Sequence, residues 1–303
     1  MKQLLLVLCI FIYSLSYSQT PSVSYGKIVH YENFSSTFIS TRNVDVWLPP
    51  DYSTQKKYAV IYMHDGQMLF DSTITWNHQE WQADENMRKI SSNKNLKPAI
   101  IVGIWNIPQT RYADYFPQKT IQFITDSSRK TIEERQLKSV PQADNYLKFI
   151  VNELKPFIDS TYSTHKDVNN TFLMGSSMGG LISLYGLCEY PNIFGAAACV
   201  SIHSPMAMNE LINPTTDENV SFTFRNYLLQ HLPKANSRRI YMDYGNQTLD
   251  AKYAPYQKKL DAILRKKGYK APRWITRYFP GTDHSERSWA DRMYIPLQFL
   301  LRK

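Results

Sequence analysis

Short apolar runs alternate with longer amphipathic runs along this chain, and this alternation restricts the possible folds more than any other feature. The apolar runs end at turn-forming residues and predict strands at residues 44–48, 58–63, 99–104, 171–174, 197–201, 239–244 and 274–279. The amphipathic runs predict helices at residues 80–90, 143–160, 178–189, 222–231, 255–267 and 289–302. This order of strands and helices indicates an α/β protein.

Strands that alternate with helices are joined by right-handed crossovers, so the pattern predicts a mostly parallel central sheet with helices on both faces. Residues 23–50 have no helix between their strands and are expected to form an antiparallel edge at the N-terminal side. Ligands of such sheets bind beyond the carboxyl ends of the strands. The loops that follow the strands are therefore the places to look for reactive side chains.

The chain of 303 residues has no internal repeat and no Pro/Gly-rich linker, so residues 19–303 are expected to form a single domain. Residues 1–18 have the pattern of a signal peptide, with Lys2 as the positive start and an apolar stretch at 4–13. Ser16-Tyr17-Ser18 supplies a cleavage site before Gln19. The apolar stretch is too short for a stable membrane span. We therefore expect an exported protein, periplasmic or extracellular.

The 35 Lys and Arg residues outnumber the 26 Asp and Glu residues, which gives a formal net charge of +9. These basic residues form no run of five or more, so we expect a solvated basic face and no nucleic-acid partner. The His residues are dispersed and no Cys cluster exists, so no metal site is expected. Cys188 and Cys199 lie in apolar surroundings and are expected to be buried free thiols.

Ser177 lies at the centre of Gly175-Ser176-Ser177-Met178-Gly179, between a predicted strand and a predicted helix. This is the context of a nucleophile elbow, a tight turn that exposes a serine hydroxyl and leaves little room for side chains two residues away. Ser176 is the alternative hydroxyl, but it lacks symmetrical glycine flanks. Met178 starts the helix, where its N–H can form half of an oxyanion hole.

A serine hydroxyl needs a base to become a nucleophile, and His is the usual one. His284 follows the last predicted strand and is the expected base, while His203 is expected to line the pocket. The third member should be a carboxylate that orients the imidazole. Asp250 follows the strand at 239–244 and is preferred for this role over Asp243 and Asp283.

The loop after the strand at 58–63 is expected to supply the second oxyanion donor, the N–H of Gln67. An alternative is that Asp65-Gly66 only forms a tight turn. Two segments, 106–140 and 203–221, follow strands and are expected to form pocket walls. Beside His203, the residues expected to bind substrate are Trp105, Arg111, Tyr112 and Trp289.

Together these segments resemble the esterase family that includes feruloyl and acetylxylan esterases, enterobactin-type siderophore esterases and mycolyl transferases. The most specific match is His-Asp-Gly-Gln-Met-Leu-Phe-Asp at 64–71. Other matches lie at 102–104, 111–115, 175–180, 190–195 and 281–289. The resemblance implies an α/β-hydrolase fold, an acyl-ester substrate, catalysis by Ser177, Asp250 and His284, and no cofactor.

We therefore expect a secreted serine carboxylic-ester hydrolase that acts through an acyl-enzyme, on acetyl or feruloyl esters linked to carbohydrate. One alternative is a siderophore trilactone esterase, because Arg111, Arg129 and Lys130 could meet a catecholate anion. Another is an inactive relative that only binds carbohydrate.

Overall fold

The computed structural model describes residues 20–207 and 214–303, with the backbone alone for residues 214–219. In this part of the chain the strands form one eight-stranded sheet in the order β1-β2-β4-β3-β5-β6-β7-β8. The strands are β1 (Lys27–Phe34), β2 (Arg42–Leu48), β3 (Ala59–His64), β4 (Ala99–Ile104), β5 (Thr171–Ser176), β6 (Ala196–Val200), β7 (Arg239–Tyr244) and β8 (Trp274–Tyr278).

The pairing of the strands confirms the predicted α/β class and its antiparallel edge. Strands β3 to β8 run parallel to one another, whereas β1 pairs antiparallel with β2, and β2 with β4. β3, β4, β5 and β6 are buried along their whole length because helices cover both faces of the sheet. Their carboxyl ends meet at one edge, where the loops that follow them lie side by side.

The helices are α1 (Ala83–Ile90), α2 (Arg111–Tyr115), α3 (Asp126–Thr131), α4 (Ala143–Lys148), α5 (Lys155–Thr161), α6 (Met178–Glu189), α7 (Pro214–His231), α8 (Ala254–Lys266), α9 (Glu286–Ala290) and α10 (Tyr294–Leu301). The predicted helix at 143–160 is observed as α4 and α5 joined by a π-helical stretch, Phe149–Leu154. The predicted helix at 289–302 is divided into α9 and α10. Pro296 explains the break, because its nitrogen cannot donate within a continuous helix but is tolerated in a first turn.

Two hydrophobic clusters fill the space on either side of the sheet. Alternate residues of β3 separate them, because Val60 and Tyr62 belong to one cluster and Ile61 and Met63 to the other. Both cysteines that remain after residue 20, Cys188 and Cys199, are buried free thiols, as expected.

The predicted signal peptide, residues 1–18, lies outside the described residues. Within the described ranges no helix combines the length and the apolar character that crossing a membrane requires.

Candidate active site

Ser177 occupies the sharp turn between β5 and α6. Its backbone angles, φ 54° and ψ −120°, are unusual for a residue with a side chain, which is the strain expected of a nucleophile elbow. Its N–H donates to the carbonyl of Val200 at 2.9 Å, and its carbonyl accepts from the N–H of His203 at 3.1 Å. The neighbouring Ser176 is buried, whereas Ser177 is partly exposed. Ser177 is thus the more accessible of the two candidate hydroxyls.

Gly175 is required by the close approach of the turn to the start of α6. A Cβ atom at Gly175 would lie 2.6 Å from the carbonyl carbon of Gly179, a distance that no backbone tolerates. The requirement at Gly179 is weaker, because a Cβ there would meet its nearest atoms at 3.4 Å, on the side chains of His64 and Asp65. The two glycines of the motif therefore differ in their steric role.

His284 and Asp250 lie against each other although 34 positions separate them in the chain. Nδ1 of His284 is 2.6 Å from Oδ1 of Asp250. The backbone N–H of His284 donates to Oγ1 of Thr248, which fixes the loop between β8 and α9 against the turn after β7. Ser177 and His284 line the same pocket. The structure therefore brings together the three residues that the sequence suggests as a triad.

Asp250 is completely buried, and its second oxygen is fully engaged. Oδ2 accepts from Oγ of Ser201 at 2.7 Å and from the N–H of Gly245 at 2.6 Å. Burial by itself raises the pKa of Asp250, but the hydrogen bonds and charge of His284, with the bonds from Ser201 and Gly245, outweigh it. The net effect is a lowered pKa, so this carboxyl stays ionised beside the imidazole.

The two alternative carboxylates have other partners. Asp243 is buried within β7 and pairs with the guanidinium of Arg292 at 3.1 Å. Asp283 accepts from the hydroxyls of Ser285 and Ser288 at the start of α9. Asp250 is therefore the one of the three carboxylates that bonds to the ring of His284.

The proposed oxyanion donors lie at the starts of two helical turns. Gln67 is the middle residue of a 3-10 turn, Gly66–Met68, that follows β3, and Met178 is the first residue of α6. The first N–H groups of a helix have no acceptor inside it and can bind an oxyanion. Both residues line the pocket that contains Ser177. The Asp65-Gly66 loop is thus a tight turn, with φ of Asp65 at 60°, and it also carries Gln67 into the pocket.

Arg111 is fixed by a bidentate ion pair with Asp65. Nε of Arg111 lies 2.8 Å from Oδ1 of Asp65, and Nη2 lies 2.7 Å from Oδ2. Asn106 also donates to Oδ1 at 2.7 Å. Burial raises the pKa of Asp65, but the guanidinium outweighs this effect and lowers it overall. The carboxylate of Asp65 therefore balances the positive charge of Arg111 at the pocket wall.

His203 lies in the pocket wall, as expected, and is paired with a residue that the sequence did not single out. Nδ1 of His203 lies 2.7 Å from the hydroxyl of Tyr253, and both side chains are buried. Burial, with smaller effects of His284 and Arg111, lowers the pKa of His203 to about 3. This imidazole is therefore neutral at physiological pH. The ring of Tyr253 also packs edge-on against His284, with centroids 5.5 Å apart.

The pocket has a volume of about 820 Å³ and several aromatic side chains in its wall. Tyr112 and Trp289 line it, as expected, and the ring of Trp289 lies 4.9 Å from that of His284. Trp76 and Trp81 also line it, and the side chain of Trp76 is 83% exposed. The segment between β3 and α1 is therefore a pocket wall that the sequence reasoning missed. Two tryptophans, five and ten positions after the 64–71 motif, could have indicated it.

The prediction for Trp105 is wrong. Its indole Nε1 donates to the carboxylate of Asp45, and its ring packs against His30, so the side chain faces β1 and β2 and does not line the pocket. The reason is that Trp105 continues the antiparallel pairing of β4 with β2, as its N–H donates to the carbonyl of Asn43. Of the second predicted wall, 203–221, residues 208–213 lie outside the described part of the chain.

In residues 20–207 and 214–303 no group of three or more His, Cys, Asp or Glu side chains could hold a metal ion. The groups placed around Ser177 are a hydroxyl, an imidazole, a carboxylate and backbone N–H donors. Such a set can carry out acyl transfer by a nucleophilic serine.

Comparisons with known proteins agree on a family and a fold. The model of the family described as "Putative esterase" matches residues 35–299. The Bacillus subtilis (strain 168) protein YbbA is 22% identical over 269 residues, which make up 86% of this chain and 93% of that protein.

Two solved structures share the fold at low sequence identity. A ferulic acid esterase from Anaeromyces mucronatus, in complex with ferulic acid, matches with a TM-score of 0.59 and 18% identity over 92% of each chain. The ferric enterobactin esterase from Salmonella typhimurium matches with a TM-score of 0.60 and 15% identity, over 92% of this chain and 59% of that one.

Proposed function

Because this chain belongs to the esterase family whose model matches residues 35–299, we propose that it hydrolyses carboxylic esters with Ser177, His284 and Asp250 as its catalytic triad. The observation that carries this proposal is the contact of 2.6 Å between His284 and the buried Asp250, in the pocket that also contains the strained Ser177. The eight-stranded sheet is that of an α/β-hydrolase, in which these three positions follow one another as serine, acid and histidine.

The reaction proceeds in two acyl transfers. Oγ of Ser177 bonds to the ester carbonyl carbon while Nε2 of His284 takes the hydroxyl proton, and the N–H groups of Gln67 and Met178 stabilise the oxyanion. The C–O bond to the alcohol breaks, and the alcohol leaves with the proton from His284. Water then attacks the carbonyl of the acyl-serine and gives a proton to His284. The bond between the acyl carbon and Oγ of Ser177 breaks, His284 returns the proton to Oγ, and the acid is released. Asp250 holds the imidazole in one tautomer and stabilises its positive charge throughout.

The proposed substrate is an acetyl or feruloyl ester linked to carbohydrate. A pocket of about 820 Å³ with Trp76, Trp81, Tyr112 and Trp289 in its wall suits a ring that stacks on aromatic side chains. The Anaeromyces mucronatus relative is a ferulic acid esterase, which agrees with an aromatic acyl group. We propose further that residues 1–18 direct the protein out of the cytoplasm and into the surroundings in which such polymers occur.

The charges of the pocket favour this substrate over a siderophore trilactone, although a ferric enterobactin esterase shares the fold. Of the three cations that could meet a catecholate, Arg111 lines the pocket and already pairs with Asp65. Arg129 and Lys130 are not among the residues that line the pocket, and they pair with Glu133 and Glu134. An iron-bound catecholate would have to compete with Asp65 for Arg111.

The test compares the exported form and its Ser177→Ala variant on acetylated xylan, feruloylated xylan and an iron-loaded trilactone. Ser177→Ala should lower kcat by about a thousandfold or more on every ester that the wild type hydrolyses. Labelling by a fluorophosphonate should occur in the wild type and be absent from the variant. Equal hydrolysis by both proteins would overturn the serine mechanism, and preference for the trilactone would overturn the carbohydrate substrate.

A further inference from the structure

A second cleft lies at the edge of the sheet opposite the catalytic pocket. Its volume is about 480 Å³, and five of the residues that line it are cationic: Lys97, Arg239, Arg273, Arg302 and Lys303. Lys97 precedes β4, Arg239 starts β7 and Arg273 precedes β8, so these three lie at the amino ends of strands. The catalytic residues follow the carboxyl ends, and the two sites are therefore separate.

Among the residues that the structure describes, no Asp or Glu side chain lines this cleft. The hydrogen bonds of its cations go to backbone carbonyls: Lys97 donates to Asn169, Arg239 to Phe299 and Leu300, Arg302 to Pro272, and Lys303 to Lys94. Asp167 lies close enough to act on the charge of Lys97, but its oxygens accept from Asn169 and Asn170. A carbonyl satisfies a donor without cancelling its charge, so the cleft keeps a concentrated positive charge.

Burial and mutual repulsion lower the pKa values of three of these cations. Burial, followed by the repulsion of Arg302 and Arg273, lowers the pKa of Arg239 to about 10. Burial and Arg239 lower the pKa of Lys97, and burial and Arg273 lower that of Arg302. Cations that destabilise one another gain when an anion binds among them.

We propose that this cleft binds the carboxylate groups of an acidic polysaccharide and holds the polymer while the pocket at the other edge acts on its esters. The anion chemistry follows from the cleft alone, whereas the choice of a polysaccharide rests on the proposed function. A concave site of this size fits a few sugar units.

The test uses oligogalacturonate as the acidic polymer and the full chain, with binding measured at low and high salt. The double variant Arg273→Glu with Lys303→Glu changes two exposed side chains whose loss should not disturb packing. We expect binding by the wild type that weakens with salt, and a loss of affinity of about tenfold or more in the variant. Hydrolysis of p-nitrophenyl acetate should remain unchanged in the variant.

The control Lys57→Glu with Lys258→Glu gives the same change in net charge at exposed positions outside the cleft. The control should bind as the wild type does. Equal weakening in both variants, absence of polymer binding, or preference for anionic lipid vesicles over the polymer would overturn the proposal. Polymer binding without any esterase activity would support the cleft and reject the proposed function.

Discussion

At the scale of single residues, contacts with other parts of the fold maintain two features of the site, the strained backbone of Ser177 and the buried charge of Asp250. Ser177 adopts a backbone conformation that costs about 1–3 kcal/mol for a residue with a side chain. Its hydrogen bonds to Val200, the last residue of the neighbouring strand β6, and to His203, in the loop after β6, maintain this conformation. Asp250 is buried as an anion because Ser201, Gly245 and His284 all donate to it. Strain and buried charge are thus both maintained by residues distant in the chain.

Asp250→Asn should lower kcat by about 10⁴-fold, because the amide cannot stabilise the imidazolium and favours the wrong tautomer of His284. The matched control is Asp283→Asn, which alters a carboxylate one residue from His284 that bonds to Ser285 and Ser288 instead. Steady-state kinetics on the ester found in the substrate screen would measure both. A smaller loss in Asp250→Asn than in Asp283→Asn would contradict the assignment.

At the scale of elements, the turn between β5 and α6 makes unequal demands on its glycines. Gly175→Ala should lower Tm and abolish activity, since its Cβ would lie 2.6 Å from the backbone of Gly179. Gly179→Ala should be milder, since its Cβ would meet only side-chain atoms at 3.4 Å. Thermal unfolding of both variants checks this order. A larger loss of Tm in Gly179→Ala would show that the helix start, rather than the strand end, limits the turn.

The segment between β3 and α1 contributes Trp76 to the pocket wall. This large apolar side chain is exposed to water, as expected of a residue that the substrate covers when it binds. Trp76→Ala should raise KM for feruloylated or sugar-linked esters by about three- to tenfold through lost stacking, with little change for p-nitrophenyl acetate. Phe123→Ala, which removes an exposed ring outside the pocket, is the control. An unchanged KM for the large esters would show that Trp76 does not contact the substrate.

At the scale of the whole molecule, buried histidines make stability depend on pH. Burial, only partly opposed by Asp65, lowers the pKa of His64 from 6.5 to about 3. Between these values the unfolded chain binds a proton at His64 that the folded protein does not bind. The free energy of unfolding therefore falls as the pH decreases, by about 1.4 kcal/mol per pH unit for this residue.

His64→Gln removes this titration, so its free energy of unfolding should depend less steeply on pH between about 6 and 4. Urea unfolding at several pH values would measure the slopes. Burial raises the pKa of Glu80 to about 7, so this residue changes the free energy of unfolding with pH in the opposite direction. Glu80 is present in both the wild type and His64→Gln, and its contribution cancels when their slopes are compared. His165→Gln, at an exposed position, should keep the wild-type slope. Identical slopes for His64→Gln and wild type would contradict a neutral buried His64.

Much of the architecture could be predicted because it is encoded locally. The apolar runs at 58–63 and 99–104 became β3 and β4 with nearly the predicted bounds, and the predicted helix at 178–189 is α6. The break before Tyr294 was missed because the apolar periodicity continues through the turn between α9 and α10. The start of α7 at Pro214 was missed because the first residues of this helix are polar and show no apolar periodicity.

The sequence by itself determined the α/β class, the antiparallel edge, the elbow around Ser177 and the order in which Asp250 and His284 follow it. These features depend on neighbouring residues, through periodicity, turn chemistry and the steric limits of glycine. Only the tertiary structure decided that Asp250 rather than Asp243 lies on His284, that Trp76 lines the pocket while Trp105 faces β2, and that five cations share one cleft. Each of these depends on which strands lie side by side, and strand order is set by packing between residues distant in the chain.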